Sequence, residues 1–396
     1  MVVPDDRLEV LIQTRRLKMA RSAHAYVRGS TAKFYEWLET SVASMPAGPD
    51  IWICGDCHLG NLGPLADARG RVEVQIRDLD QTVIGNPAHD LIRLGLSLAS
   101  AARGSDLPGV VTARMVEALT SGYDIALDGD FDDDAEHDAR PEDISTLLSR
   151  AMRRRWRHLA RERLDTVEPK IPLGKRFWAL AKGETRALGD LFAEDNVCRM
   201  IQSLQGLEPT DKVEIIDAAY WLKGCSSLGR LRYAVMLKVG EGKHAAFCLM
   251  DVKEATKAVA PRSATVPSPR DNAVRVVTGA QALSPHLGNR MIAGRLLGKA
   301  VVLRELMPQD LKIEVEDMNE PDAVRLAAYL GSIVGRAHGR QMDKETRSTW
   351  RRQFAVASTA KLDAPSWLWS AIVELVAIHE AAYLEHCRRF ALAEAA

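Results

Sequence analysis

The feature that most constrains this chain is a change of hydrophobic period near residue 212. Three strand-like runs follow in quick succession, Val213 to Trp221, Leu231 to Val239 and Ala245 to Val252, broken by Gly-containing turns. A polar, Pro-containing loop from Pro261 to Pro269 leads into a helix-spaced stretch, Ala273 to Leu283. Two more strand-like runs follow, Arg290 to Leu296 and Ala300 to Leu306. Apolar runs of this length with short turns between them pair as an antiparallel sheet, here with one inserted helix. On both sides the apolar residues recur at helical spacing. Before the sheet these are residues 5–45 (Leu8, Leu11, Ile12, Phe34, Tyr35, Leu38), Asp90 to Ala102, 110–127 and 144–164; after it, Pro321 to Gly339 and Ser366 to Leu392. Two short strands interrupt the first helical part, Ile51-Trp52-Ile53-Cys54 stopped by Gly55, and Val72 to Ile76. The organisation is α+β.

Composition narrows the function classes. The chain has 396 residues, and 53 Lys+Arg balance 53 Asp+Glu. Zero net charge gives no whole-chain attraction to nucleic acid or anionic membrane, so neither is expected as a partner, and nothing marks an oligomeric state. At 46% hydrophobic and 27% charged, the chain is neither a disordered tail nor a disulfide scaffold. Its six cysteines (Cys54, Cys57, Cys198, Cys225, Cys248, Cys387) mostly sit in apolar stretches, as reduced buried thiols do. The start, Met1 to Leu11, has acidic residues where a secretion signal needs basic ones, and no run approaches about 18 apolar residues. A cytoplasmic protein is expected. The acidic stretch Asp128 to Asp143 precedes an Arg-rich helix holding Arg150, Arg153, Arg154, Arg155, Arg157, Arg161 and Arg163 around Trp156. Their charges nearly cancel, which reads as a solvated helix beside a compensating loop rather than a phosphate-binding patch. A calcium loop starting at Asp128 fails, with Asp133 at the turn glycine and Ala139 at the closing acid.

The chemistry is concentrated in Gly55-Asp56-Cys57-His58-Leu59-Gly60-Asn61, which follows a strand. Seventeen positions after Asn61 comes Asp78, in Ile76-Arg77-Asp78-Leu79-Asp80; twelve further on comes Asp90. Phosphoryl transfer accounts for this spacing. A carboxylate in a tight turn after a strand orients or deprotonates a hydroxyl, an amide oxygen five residues on turns back to a Mg²⁺ ion, and a carboxylate from the neighbouring strand completes the metal clamp. Asp56, Asn61 and Asp78 fill those roles. Asp90 is then structural, bonding back to the loop backbone.

These motifs resemble the catalytic core of aminoglycoside-phosphotransferase-like kinases. More closely, the chain resembles the bacterial family called domain of unknown function 2252. That pattern runs through Met19-Ala20-x-Ser22-x-x-x-Tyr26-x-Arg28-Gly29, Gly55 to Gly63, Asp78-x-Asp80, Asp90-Leu91-x-Arg93-Leu94, Gly224-x-Ser226-Ser227-x-Gly229, Val252-Lys253-Glu254-Ala255, Arg275-Val276-Val277 and Ala337-His338. The resemblance implies a two-lobed protein-kinase-like fold with permuted order. The Gly-rich turn and Lys253 follow the catalytic loop, whereas an ordinary kinase has them before it. Residues 212–307 would form the small nucleotide-binding lobe. Residues 1–211 and 308–396 would together form the mostly helical large lobe, Pro308 to Asp310 beginning the return from the hinge. ATP and Mg²⁺ are the implied cofactors and a small-molecule hydroxyl the implied acceptor. Gly224, Ser226, Ser227, Gly229, Lys253 and Glu305 would bind nucleotide, Asn61 and Asp78 metal; Asp56 and His58 form the catalytic loop pair, His58 fixing the loop by hydrogen bonding. Arg28 and Asp80 are candidate substrate or phosphate contacts. Ser226 replaces a middle glycine, and the helix expected to carry an acid for Lys253 has Gln281.

Other chemistries fit parts of the same stretch. Cys54-Gly55-Asp56-Cys57-His58 matches C-x-x-C-H, the c-type haem attachment pattern. Cys54 and Cys57 could form a redox pair, and with His58 a zinc site lacking its fourth ligand. The outcomes for the kinase-like motifs are phosphoryl transfer, nucleotidyl (AMP) transfer from a flipped nucleotide, or nucleotide binding without transfer.

Overall fold

The computed structural model describes residues 6–41, 45–67, 69–129, 144–146, 149, 170–204, 212–225, 227–241, 246–307, 319–355 and 365–392. The chain opens with three helices, α1 (Arg7–Ala20), α2 (Ala23–Gly29) and α3 (Thr31–Thr40). Ser22 starts α2 by accepting the Ala25 N–H at 3.1 Å, the ordinary N-cap arrangement. Four short strands follow: β1 (Ile51–Ile53), β2 (Leu62–Ala66), β3 (Val72–Ile76) and β4 (Val83–Gly85). They pair antiparallel as β1 with β4 and β2 with β3. Helices α4 (Ala88–Gly104) and α5 (Gly109–Asp128) come next.

The central sheet has six antiparallel strands, one more than the sequence period indicates. Its spatial order is β5 (Phe177–Trp178), β6 (Val213–Trp221), β7 (Arg232–Val239), β8 (Ala246–Glu254), β10 (Lys299–Glu305), β9 (Met291–Leu296). Helices α6 (Lys182–Phe192) and α7 (Asp195–Leu204) precede β6, while α8 (Asn272–Leu283) and the single turn α9 (Pro285–Gly288) lie between β8 and β9. One face of the sheet carries Tyr233, Val235, Leu237, Met250, Val252 and Leu303, packed with Leu188, Leu191, Phe192, Val197 and Ile201 of α6 and α7. The sheet's core therefore draws on residues upstream of 212, and that expected boundary falls between two elements of one core. The opposite face carries Arg232, Asp251, Lys253 and Arg304, in register across β7, β8 and β10.

The chain ends in α10 (Glu320–Gly339), α11 (Lys344–Ala355) and α12 (Ser366–Phe390). Together with α4 and α5 they bury Leu94, Leu98, Leu119, Leu330, Val334, Leu368 and Leu375 in the largest core. Helix α12 is, among the described residues, long and apolar enough to cross a membrane by length and composition. Its Trp367, Leu368, Ala371, Ile372 and Leu375 pack into that same core. Helix α1 ties the two parts. Leu11 enters the sheet's core and Arg7 pairs with Glu184 at 2.7 Å. At its other end the Ala20 carbonyl accepts the Tyr383 hydroxyl of α12 at 3.2 Å. Helix and small antiparallel sheets make the molecule α+β. Most of the Asp128 to Asp143 stretch, Arg150 to Arg163, and Pro308 to Asp310 lie outside the described residues.

Candidate active site

The loop after β1 is held almost entirely through its backbone. Gly55 has φ +73°, and a Cβ there would lie 2.2 Å from the Gln81 carbonyl oxygen, so only glycine fits the turn. Asp90, in the first turn of α4, accepts the Cys54 N–H at 2.7 Å and the Gly55 N–H at 2.9 Å. His338 of α10 lies behind it, Nε2 to Asp90 Oδ2 at 3.2 Å. The Tyr123 hydroxyl sits 3.0 Å from His338 Nδ1 and accepts the Trp350 indole N–H at 2.9 Å. An indole N–H only donates, so the Tyr123 oxygen accepts from Trp350 and its own proton is available to His338 Nδ1. Helices from the end of the chain thus brace a turn near its start.

Asp56 is buried and held from within, one donor on each oxygen. Arg93 Nε donates to Oδ1 at 2.8 Å and the Thr31 hydroxyl to Oδ2 at 2.8 Å. Burial pushes the Asp56 carboxyl up, and Arg93 and Thr31 only partly pull it back. The Asp90-Leu91-x-Arg93 motif is one helical turn doing two things: Asp90 shapes the loop, and Arg93 orients its acid. The Asn61 amide nitrogen donates to the backbone carbonyls of Asp56 (2.9 Å) and Asp78 (3.3 Å). Its oxygen is left as the side-chain atom that could meet a cation. His58 departs from expectation. Its Nδ1 is buried without a hydrogen-bond partner, so the imidazole does not fix the loop through that atom. The turn is closed by backbone instead, His58 N to Asp56 O at 2.9 Å and Asn61 N to His58 O at 2.7 Å. Burial, then Arg28 and Arg93, hold His58 well below its ordinary value, so it is neutral at pH 7.

Across the cleft, Lys253 Nζ lies 3.3 Å from both carboxylate oxygens of Asp78 and also pairs with Asp80. Burial alone would raise Asp78, but Lys253, then Arg304 and Arg232, hold it well below the usual carboxylate range. Asp80 goes the other way, raised by burial and by the neighbouring Asp78. Behind Lys253, Arg232 forks onto Asp251 at 2.9 and 2.5 Å. Lys223 Nζ (3.8 Å) and Arg304 Nε (3.6 Å) approach the same carboxylate. The Gly-rich turn is tied to this cluster, Arg232 Nη1 donating to Ser227 Oγ at 3.1 Å. Gly224 and Gly229 are both left-handed, at φ +83° and +94°. A small cavity lies among Asp78, Asp80, Arg232, Asp251, Lys253 and Arg304.

The family model described as "Uncharacterized protein conserved in bacteria (DUF2252)" matches residues 7–389, from α1 to the end of α12. The chain belongs to this family. No curated protein and no solved structure matches this DUF2252 chain.

The DUF2252 protein departs from several expectations about its site. The acid for Lys253 is Asp80, from the loop itself. Helix α8 supplies Arg275 instead, which is fully buried and donates to the carbonyls of Thr82, of Asp80 (2.9 Å) and of Thr256 (2.9 Å). Glu305 lies apart from the cleft, its Oε1 receiving the Cys248 thiol at 3.6 Å on the packed side of the sheet. Ser226 is outside the described residues. Cys54 and Cys57 gather with Asp90, not with His58. Burial pushes the Cys54 thiol far up, and the Asp90 oxygens are already occupied, so the trio reads as packing beneath the turn. The Arg28 guanidinium lies against Gly60. Arg232 and Asp251 went unread because opposite charges on strands look like a solvated face. Their signal was period two, with Arg232, Asp251, Lys253 and Arg304 all falling on one side of the sheet.

Proposed function

We propose that this protein is an ATP- and Mg²⁺-dependent phosphotransferase with a circularly permuted, two-lobed, kinase-like build, acting on a small-molecule hydroxyl. The observation that carries the proposal is the meeting of Lys253 with Asp78, 175 positions apart in the chain, beside a glycine-rich turn. Two further features support it. The Gly224–Gly229 turn joins the first two strands of a run, Lys253 ends the third, and α8 follows, which is the order of a kinase small lobe. The Gln341 side chain, just past α10, hydrogen-bonds both the N–H and the carbonyl of Trp52 in β1, at 2.9 and 3.0 Å. The helix that leads into the loop of an unpermuted kinase here adjoins it in space.

The donor set fits a hard cation: the Asp78 carboxylate and the Asn61 oxygen are ligands of the kind Mg²⁺ takes. When bound, the ion would neutralise charge on the phosphate oxygens. Lys253 and the backbone of the Gly224–Gly229 turn would hold those phosphates. Asp56, held by Arg93 and Thr31, would accept the hydroxyl proton as the acceptor oxygen bonds to phosphorus and the bridging P–O bond breaks. Lys253 is paired with Asp78 and Asp80, and on loading the phosphates would take over that cation.

Labelled ATP tests the proposal against a panel of hydroxyl compounds. Transfer of the γ-label supports it, and transfer of the α-label means nucleotidyl transfer. A Mg²⁺-dependent thermal shift with ATP, lost in Asp78→Ala, without transfer of either label, means a nucleotide-binding module. One observation favours that last reading: Lys253 is already paired with Asp78 and Asp80 within the chain.

A further inference from the structure

The charges beside the Asp56 loop do not balance. Helices α1 and α2 bring Arg15, Lys18, His24 and Arg28 between the Gly224 turn and the loop. Arg15 and Lys18 reach only backbone carbonyls, Gly29 O at 3.2 Å and Gly224 O at 3.1 Å. Among the described residues none of Arg15, Lys18 and Arg28 has a carboxylate partner. Buried donors there are also unspent. Arg93 uses Nε on Asp56 and Nη2 on the Val27 carbonyl, leaving Nη1 buried with no partner. Arg28 Nε, His24 Nδ1 and His58 Nδ1 are likewise buried and unpaired. Arg93 is fully buried and His58 is 5% exposed.

These orphans share one neighbourhood. Arg93 bonds both Asp56 of the loop and the carbonyl of Val27, the neighbour of Arg28, and His24 precedes Arg28 by one turn of α2. A Cβ on Gly60 would lie 2.9 Å from Arg28 Cζ, so the glycine before Asn61 makes room for the guanidinium. Leaving the guanidinium donors Arg28 Nε and Arg93 Nη1 buried and unmade is costly, and guanidinium groups suit a phosphate or carboxylate.

We infer that this cluster of cations binds the anionic group of the acceptor, so the substrate is a hydroxyl compound carrying a phosphate or a carboxylate. The inference rests on the phosphotransferase reading for the word acceptor, but the anion site stands on its own geometry. Lys253 serves the nucleotide side of Asp56, and Arg28 the other.

Calorimetric titration with inorganic phosphate at low ionic strength tests this, with acetate in parallel. Phosphate should bind the wild type, at least tenfold more weakly in Arg28→Ala, and unchanged in Arg114→Ala, which removes an exposed cation paired with Glu320. The Mg²⁺-dependent shift with ATP should survive in Arg28→Ala. Tighter binding of phosphate or of acetate tells which anion the acceptor carries, and either supports the site. Absence of both, or equal weakening by Arg28→Ala and Arg114→Ala, overturns it; so does loss of the ATP shift in Arg28→Ala. If ATP shifts nothing in the wild type while phosphate still depends on Arg28, the anion site holds and the phosphotransferase reading falls. Should Arg28→Ala fail to fold, His24→Gln carries the same comparison, with an expected loss of threefold or more.

Discussion

The Asp56 loop and the Lys253 cleft adjoin, yet they are held by different kinds of contact. The loop is pinned through its backbone: Asp90 takes two N–H groups, the Tyr35 hydroxyl donates to Gly55 O at 2.6 Å, the Thr82 hydroxyl to Ile53 O at 2.6 Å, and Ser97 Oγ accepts Leu59 N–H at 3.1 Å. Each partner is buried. The cleft is pinned by charges on longer side chains, and the Asp78 side chain is 41% exposed. A backbone-pinned turn keeps a reacting geometry without reorganising. The cleft, by contrast, is held by ion pairs that a charged ligand could exchange for its own.

Substitutions separate these two modes, the largest effect first. Asp251→Ala leaves Arg232, 5% exposed, without its counter-charge; it should cost about 3–5 kcal/mol in urea unfolding. A loss under 1 kcal/mol would mean that solvent already reaches the pair. Asp90→Asn retains one acceptor for the loop but strands an N–H, and should cost about 1–3 kcal/mol. If the loop is the rigid element, the same variant should increase amide exchange at Cys54 and Gly55 while leaving β8 protected. Lys253→Met removes a half-screened pair and should cost only about 1 kcal/mol, yet abolish the ATP·Mg²⁺ thermal shift. Stability and binding would then part company at the cleft, as they should not at the loop.

Acid separates the regions most gently. Burial holds His24, His89 and His379 at about 4, against an ordinary 6.5. Between those values the unfolded chain binds protons that the folded chain refuses, so stability is full above about 6.5 and declines as pH falls toward 4. Asp78 and Asp251 are held low by their cations, after burial is overcome. What they contribute is present above the ordinary carboxylate value of 3.8 and is lost only as pH falls below it. Denaturant midpoints followed from about pH 7 to 3 should show two declines, and His24→Gln should flatten only the first.

Periodic elements were legible before any coordinates. Strands β6 to β10 alternate or run apolar between glycines, and α4, α5, α10 and α12 repeat at helical spacing. Leu62–Ala66 escaped because Gly63 and Pro64 sit inside it, residues that argue against a strand unless it lies at an edge. Phe177–Trp178 is too short to show a period at all. In the site, Asp90 is found on the loop backbone, a role suggested by its place at the start of a helix after the loop. The reading of His58 failed because an imidazole in a turn has local acceptors in principle, whereas here burial and Arg28 surround it. The acid for Lys253 was sought on α8, where a kinase pattern puts it. Asp80 took that role, and Arg275 bound the same loop from the helix.

By itself the sequence determined the periods and the residue types available for phosphate chemistry. These depend on backbone geometry within a few residues. Which charges meet was decided by the tertiary structure alone. Lys253 finds Asp78 and Asp80, His338 finds Asp90, and Arg28 finds the Asp56 loop, because helices and sheet from both ends of the chain pack on one another. Such pairings follow from the sum of many distant contacts, and no local pattern carries them.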